Sequence, residues 1–285
     1  MKLIVETDLG HDPDDFFAIC YLASVGVEIQ AITIVPGDPD QIAFAKFLCK
    51  QLKLDIPIGA SKLNRTKLSS GGVHHELLKK FGRSLEATPD GLGKDIIKDV
   101  FKSDTEFLII GPATNVGGFL KDNPVSISRA TMQGGFLPYE FHDYDCVKIP
   151  DFEGKLSIPT FNLNGDRPAG LLFSAADIGE RRFVGKHVCH TIFYDKSIQV
   201  RLKPKDVASE LFKLGMDLYL ARHDGKKFHD PTAAVCHLYP DVANWVRGKI
   251  VKLDAGWGTE LDEDGDYIIA NIDYDKLWNH IINFV

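Results

Sequence analysis

Short apolar runs alternate with longer stretches of helical period through the first half of the chain. Leu3 to Val5, Ile29 to Val35, Phe107 to Ile110 and Arg129 to Gln133 have the length and apolar content of buried strands. Between them, Asp14 to Ser24, Pro39 to Leu52, Leu92 to Phe101 and Asn115 to Leu120 repeat their apolar residues as helices do. Strand and helix in turn predict an α/β protein, with a mostly parallel central sheet flanked by helices in a single domain over residues 1–285. Near the C-terminus the pattern changes. Lys249 to Asp254, Gly256-Trp257-Gly258-Thr259 and Tyr267 to Ile272 read as a small antiparallel hairpin around an Asp-Gly turn. Ligands in parallel sheets gather where strands end and helices begin, so those junctions are where chemistry is to be sought.

Composition narrows the choice of partner. With 285 residues, 44% of them hydrophobic and 26% charged, the chain has material for one large core. A net charge of −7 and the lack of a basic stripe interleaved with aromatics argue against nucleic acid. No apolar stretch reaches the ~20 residues of a membrane span, and Met1-Lys2 leads straight into a strand, so a cytoplasmic protein with no membrane partner is expected. Cys20, Cys49, Cys146, Cys189 and Cys236 are scattered and form no CxxC pair, which reads as reduced cysteines.

The densest chemistry follows the first strand. Asp8, Asp12, Asp14 and Asp15 fall within Glu6-Thr7-Asp8-Leu9-Gly10-His11-Asp12-Pro13-Asp14-Asp15, between a buried strand and an apolar helix. Like charges this close repel unless a cation neutralises them. Carboxylates without cysteine suit Ca²⁺ or Mg²⁺ rather than zinc. Gly10 lets the chain turn, and the Asp-Asp pair also meets the positive end of the helix dipole.

Four later junctions carry polar groups. Gly111-Pro112-Ala113-Thr114-Asn115 ends a strand in a tight turn, where a carbonyl can ligate a cation or Thr114 and Asn115 can cap the next helix. Met132-Gln133-Gly134-Gly135 follows another strand, and Thr160-Phe161-Asn162-Leu163-Asn164 precedes a helix; the asparagines suit a polyhydroxylated ligand or simply shape the turn. His229-Asp230-Pro231 pairs an imidazole with a carboxylate before an apolar helix, where Asp230 also serves as an N-cap.

In order and spacing, Glu6-Thr7-Asp8-x-Gly10-x-Asp12-x-Asp14-Asp15-x-x-Ala18, Gly111-Pro112-Ala113-Thr114-Asn115, Met132-x-Gly134-Gly135, Phe161-Asn162 with Asp166, and His229-Asp230-Pro231 resemble the inosine-uridine-type nucleoside hydrolases, as a divergent member. The resemblance implies a Rossmann-like domain, Ca²⁺, a small-molecule nucleoside-like substrate and a homo-oligomer, dimer or tetramer. It implies catalysis by Asp8, the base that takes a proton from water, and by His229, which protonates the departing base. Metal ligands would be Asp8, Asp15, Asp230 and the backbone oxygen of Thr114. Asp14 would hold the sugar 2-hydroxyl and Asn162 its far hydroxyl, with Asp38, Met132 and His74 also at the substrate. Cleaving an N-glycosidic bond passes through an oxocarbenium-like state, which such an arrangement serves.

The chain departs from the pattern at named positions. Two residues are added before the Asp-Asp pair, Gly37-Asp38 stands where Gly-Asn is usual, and Thr160-Phe161-Asn162 replaces Glu-Phe-Asn. The altered sugar pocket prompts an alternative, a non-catalytic nucleoside- or sugar-binding protein on the same scaffold. An aspartyl-nucleophile phosphatase, which also opens with a strand and an acidic turn, is disfavoured because Glu6 stands at the nucleophile position. His11 is expected over the substrate or behind the metal, and Phe141-His142-Asp143-Tyr144-Asp145 is expected to form a lid.

Overall fold

The computed structural model describes residues 1–10, 12–141, 148–254 and 256–285. His11 and most of the expected lid lie outside the described residues. Its strands are β1 (Lys2–Thr7), β2 (Glu28–Ile34), β3 (Ile58–Ala60), β4 (Gly91–Leu92), β5 (Thr105–Ile109), β6 (Ile127–Gln133), β7 (Ile178–Val184), β8 (Phe193–Asp195), β9 (Gly225–Lys227), β10 (Ala243–Leu253), β11 (Gly256–Leu261) and β12 (Asp266–Ile272). Helices α1 (Asp14–Ser24), α2 (Pro39–Leu52), α3 (Gly72–Lys80), α4 (Gly93–Val100), α5 (Thr114–Asp122), α6 (Phe161–Gly165) and α7 (Arg167–Ala175) come first. They are followed by α8 (Lys186–Cys189), α9 (Lys196–Gln199), α10 (Val207–Leu220), α11 (Asp230–Leu238) and α12 (Tyr274–Asn283). Helices α1 and α2 keep the bounds that their apolar spacing predicts.

Ten strands make one sheet, ordered β11-β10-β12-β7-β6-β5-β1-β2-β3-β4. Neighbours from β4 through β12 are parallel, whereas β10 runs antiparallel to both β11 and β12. The hairpin near the C-terminus is therefore β10 with β11. The Asp264-Gly265 turn instead carries the chain across β10 to its other neighbour, β12. A separate two-stranded antiparallel sheet joins β8 to β9.

Burial on both faces explains the unbroken apolar runs. Along β1, Leu3 and Val5 enter the cluster that contains Phe16, Phe17, Phe44, Phe212 and Val235, while Ile4 enters the opposite one with Val116, Phe119 and Phe173. Helices α1, α2, α10 and α11 thus cover one face, and α4, α5 and α7 the other. Chain order reverses at β1: β2, β3 and β4 extend to one side and β5 to the other. Loops leaving β1 and β5 at their carboxyl ends diverge there and leave a crevice.

Candidate active site

That crevice holds the acidic turn. Gly10 takes φ +101°, a left-handed conformation suited to glycine, and α1 starts at Asp14 without a side-chain cap from Pro13. Gly111, after β5, lies against β1 so closely that a Cβ there would stand 2.5 Å from the Asp8 amide nitrogen. Beneath the turn, the buried Glu6 carboxyl accepts from the Asn115 amide at 2.7 Å and from the Thr33 hydroxyl, tying β1 to the start of α5. Burial pushes the Glu6 pKa up to about 8. Its task is structural.

On the same face of the sheet as α1, α11 begins at Asp230 and its N-cap residue His229 makes no side-chain capping bond. The helix start leaves the Asp230 carboxylate uncommitted. One carboxylate oxygen from each of Asp14, Asp15 and Asp230 lies within 4.8 Å of the others, and all three residues are buried. Asp15 accepts a hydrogen bond from the Thr7 hydroxyl, and Asp14 Oδ2 accepts from the His229 amide at 3.2 Å. The His229 Nδ1 stands 3.6 Å from Asp14 Oδ2, and its Nε2 is buried without a hydrogen-bond partner.

Charge is unevenly resolved across this floor. Burial and then Asp8 and Asp14 push the Asp15 carboxyl well above the usual range; burial, Asp14 and Asp15 do the same to Asp230. Burial, Asp14 and Asp12 raise Asp8 to about 7. Burial opposes ionisation of Asp14 too, yet His229 and Lys226 hold its carboxyl well below the usual value. Lys226, from β9, is the floor's cation: its Nζ lies 2.6 Å from Asp12 Oδ1 and 3.4 Å from Asp14 Oδ1, and the residue is 8% exposed. Asp14 and Asp12 keep its ammonium charged against the cost of burial. Three crowded buried carboxylates facing one ammonium leave room for a further cation, and their oxygen donors fit Ca²⁺.

Above the floor the cavity measures about 290 Å³, and its walls come from other strand ends: Ile110 after β5, Gln133 at the end of β6, Thr160 to Asn162 at the start of α6, and Lys186 on α8 with His190 just after it. Asn162 donates through Nδ2 to the Gln133 carbonyl at 3.0 Å and to Gln133 Oε1 at 2.9 Å, which leaves its own carbonyl oxygen as an acceptor.

No family model matches the chain. Among curated proteins, one from Aquifex aeolicus (strain VF5), described as uncharacterized, is 24% identical over 243 residues, which is 82% of this chain and 81% of that one. Solved structures are more telling. A plant nucleoside hydrolase, the PpNRh1 enzyme, superposes with a TM-score of 0.72 at 18% identity, over 99% of this chain and 97% of that one. The inosine-uridine preferring nucleoside hydrolase of Bacillus anthracis gives 0.69 at 14% identity, covering 98% and 97%. An inosine-guanosine nucleoside hydrolase gives 0.66 at 17%, covering 100% and 98%. The chain has the nucleoside hydrolase fold.

Within that fold the expected residues separate into two groups. Asp8, Asp14, Asp15, Asn162, His229 and Asp230 all line the one cavity. Thr114, Asp38, Met132 and His74 do not. Thr114 is the first residue of α5, and Ile110 stands at the cavity instead, so a backbone oxygen for a cation would come from Ile110. Asp38 caps α2 in a capping box with Gln41 and pairs with Arg65; it is spent on the fold. Met132 is fully buried in β6, and its neighbour Gln133 reaches the ligand space. His74 is 2% exposed and packs edge-on against Phe44, with ring centroids 4.5 Å apart, in the wall of a neighbouring hollow shared with Tyr219 and His223.

Lys186, His190 and Lys226 were not singled out from the sequence. Lys226 had a usable signal, a basic pair set in Gly225-Lys226-Lys227-Phe228 immediately before His229-Asp230. Lys186 and His190 lack one, because a lone lysine after a strand is common on protein surfaces. The four described cysteines, Cys20, Cys49, Cys189 and Cys236, are free and buried, and among the described residues no helix is long and apolar enough to cross a membrane.

Proposed function

We propose that this chain, folded as a single domain, is a Ca²⁺-dependent nucleoside hydrolase that cleaves the N-glycosidic bond of a nucleoside-like substrate to free base and sugar. The observation that carries this reading is the meeting of Asp14, Asp15 and Asp230 oxygens within 4.8 Å beside an imidazole with a free nitrogen. The solved structures sharing the fold are all nucleoside hydrolases, which supports the substrate class. Asp15, Asp230, Asp8 and the carbonyl of Ile110 are the residues that would hold the ion. When bound, Ca²⁺ offsets the carboxylates' mutual repulsion and polarises the oxygens around it.

The chain's own groups supply the rest. Asp8, at the floor of the cavity, accepts a proton from the attacking water. Asp14, held ionised, accepts hydrogen bonds from the sugar diol, and Asn162 Oδ1 takes a hydroxyl further out. His229 Nε2 delivers a proton to the departing nitrogen. The carbon–nitrogen bond breaks, the water oxygen bonds to the anomeric carbon, and the two protons are accounted for by Asp8 and His229.

Free base is the readout. Incubation with a panel of nucleosides, with Ca²⁺ and with a chelator, is expected to release base only in the first case. Asp8→Asn should lower the rate roughly 10²- to 10⁴-fold while circular dichroism is unchanged. Undiminished turnover in that variant excludes the mechanism. Calorimetric binding of nucleosides without any base release would favour the non-catalytic binding protein, the reading that Thr160 prompts.

A further inference from the structure

The wall opposite in character to the acidic floor contains a lysine with no acidic partner among the described residues. Lys186, half-buried at the start of α8, lines the cavity and donates to the Pro159 carbonyl at 3.2 Å, with the Phe152 ring centroid 6.0 Å from its Nζ. Among the described residues no carboxylate lies within salt-bridge reach of it. Its pKa is lowered, by burial and then by Lys227, the reverse of what the carboxylates do for Lys226. An ammonium kept half out of water without a counter-charge is a site poised for an anion.

Two neighbours extend the site. Thr160, directly after Pro159, is 3% exposed, and its buried Oγ1 has no hydrogen-bond partner among the described residues. His190, one turn beyond Lys186 and in the same cavity wall, has its Nδ1 3.2 Å from Lys227 Nζ. An ammonium only donates, so Nδ1 accepts, and the proton of the neutral ring sits on Nε2 as a donor. Ammonium, hydroxyl and imidazole N–H together make a set of donors. Resemblance alone would place a sugar-holding carboxylate at the position of Thr160; a carboxylate there would repel an anion, and this chain has none.

Resting on the hydrolase reading given above, we propose that the substrate carries a phosphate monoester at the outer end of its sugar, received by Lys186 with Thr160 and His190. The preferred substrate class is then nucleoside 5′-monophosphates rather than nucleosides. The reaction is unchanged: the glycosidic bond is cut, and base and sugar phosphate leave.

Two measurements test this. In the Ca²⁺-loaded enzyme, kcat/KM for UMP and AMP is expected to exceed that for uridine and adenosine, and Lys186→Gln should cut that ratio roughly tenfold to hundredfold, with Lys186→Arg restoring most of it. Equal ratios in wild type and Lys186→Gln overturn the proposal. Independently of turnover, calorimetry should show ribose 5-phosphate binding at least about tenfold tighter than ribose in wild type, with the gap closed in Lys186→Gln. If ribose 5-phosphate binds through Lys186 and no nucleoside or nucleotide is cleaved, the hydrolase reading fails and the phosphate site stands. If uridine is cleaved while neither phosphate compound is favoured, the phosphate site is overturned and the hydrolase remains.

Discussion

On its floor the cavity gathers Asp8, Asp14, Asp15 and Asp230, with Lys226 paired to Asp12 and Asp14, whereas on its wall Lys186 faces a carbonyl and a ring and shares the cavity with His190. Both regions are built at strand ends of the same sheet, and both hold charge away from water. They differ in what completes them. Among the described residues the floor has more carboxylates than ammonium groups, which suits a cation; the wall has an ammonium with no carboxylate in salt-bridge reach, which suits an anion.

The largest test of this contrast is cation binding itself. Thermal and denaturant melts in Ca²⁺ at about a thousand times its Kd should show about 4 kcal/mol more stability than melts in chelator, because the ion binds the folded floor and not the unfolded chain. Superimposable melts would dissolve the contrast. Next in size is the floor's own cation: Lys226→Met in chelator should cost about 3 kcal/mol, since Asp14 then loses its buried partner, and Ca²⁺ should recover part of that loss. A variant as stable as wild type in chelator would mean that Lys226 does not balance the floor.

The smallest effect comes from a group that escapes the charge problem by staying neutral. Burial lowers the His74 pKa to about 4, so in acid the unfolded chain takes up a proton that the folded protein refuses. Its contribution is intact above pH ~6.5 and is lost as the pH falls toward 4, amounting to about 2 kcal/mol by pH 5. His74→Phe should remove that part of the acid sensitivity, read as a smaller drop in urea midpoint between pH 7 and pH 5. An unaltered drop would show that burial does not keep His74 neutral.

Local pattern carried much of this molecule. Apolar spacing gave α1 and α2 their bounds, and the crowding of Asp8, Asp12, Asp14 and Asp15 pointed to a cation as their partner, since like charges this close repel. Asp38 and His74 show where local reading goes astray. A carboxylate before a proline-initiated helix satisfies that helix first, and a histidine flanked by Val73 and Leu77 on a helix turns inward among phenylalanines. Thr114 lies away from the cavity for a related reason: the chain turns at Gly111, so Ile110 ahead of that turn meets the cavity while Thr114 after it enters a helix.

By itself, then, the sequence determined the alternation of strand and helix, the acidic turn after β1 and the His229-Asp230 junction, because each depends on neighbours within a few residues. Tertiary structure decided that Lys226 would sit among the acids and Lys186 apart from them. Strand order places residues more than a hundred positions apart on one rim, and which charges meet there depends on sheet geometry and burial that no short stretch of chain encodes.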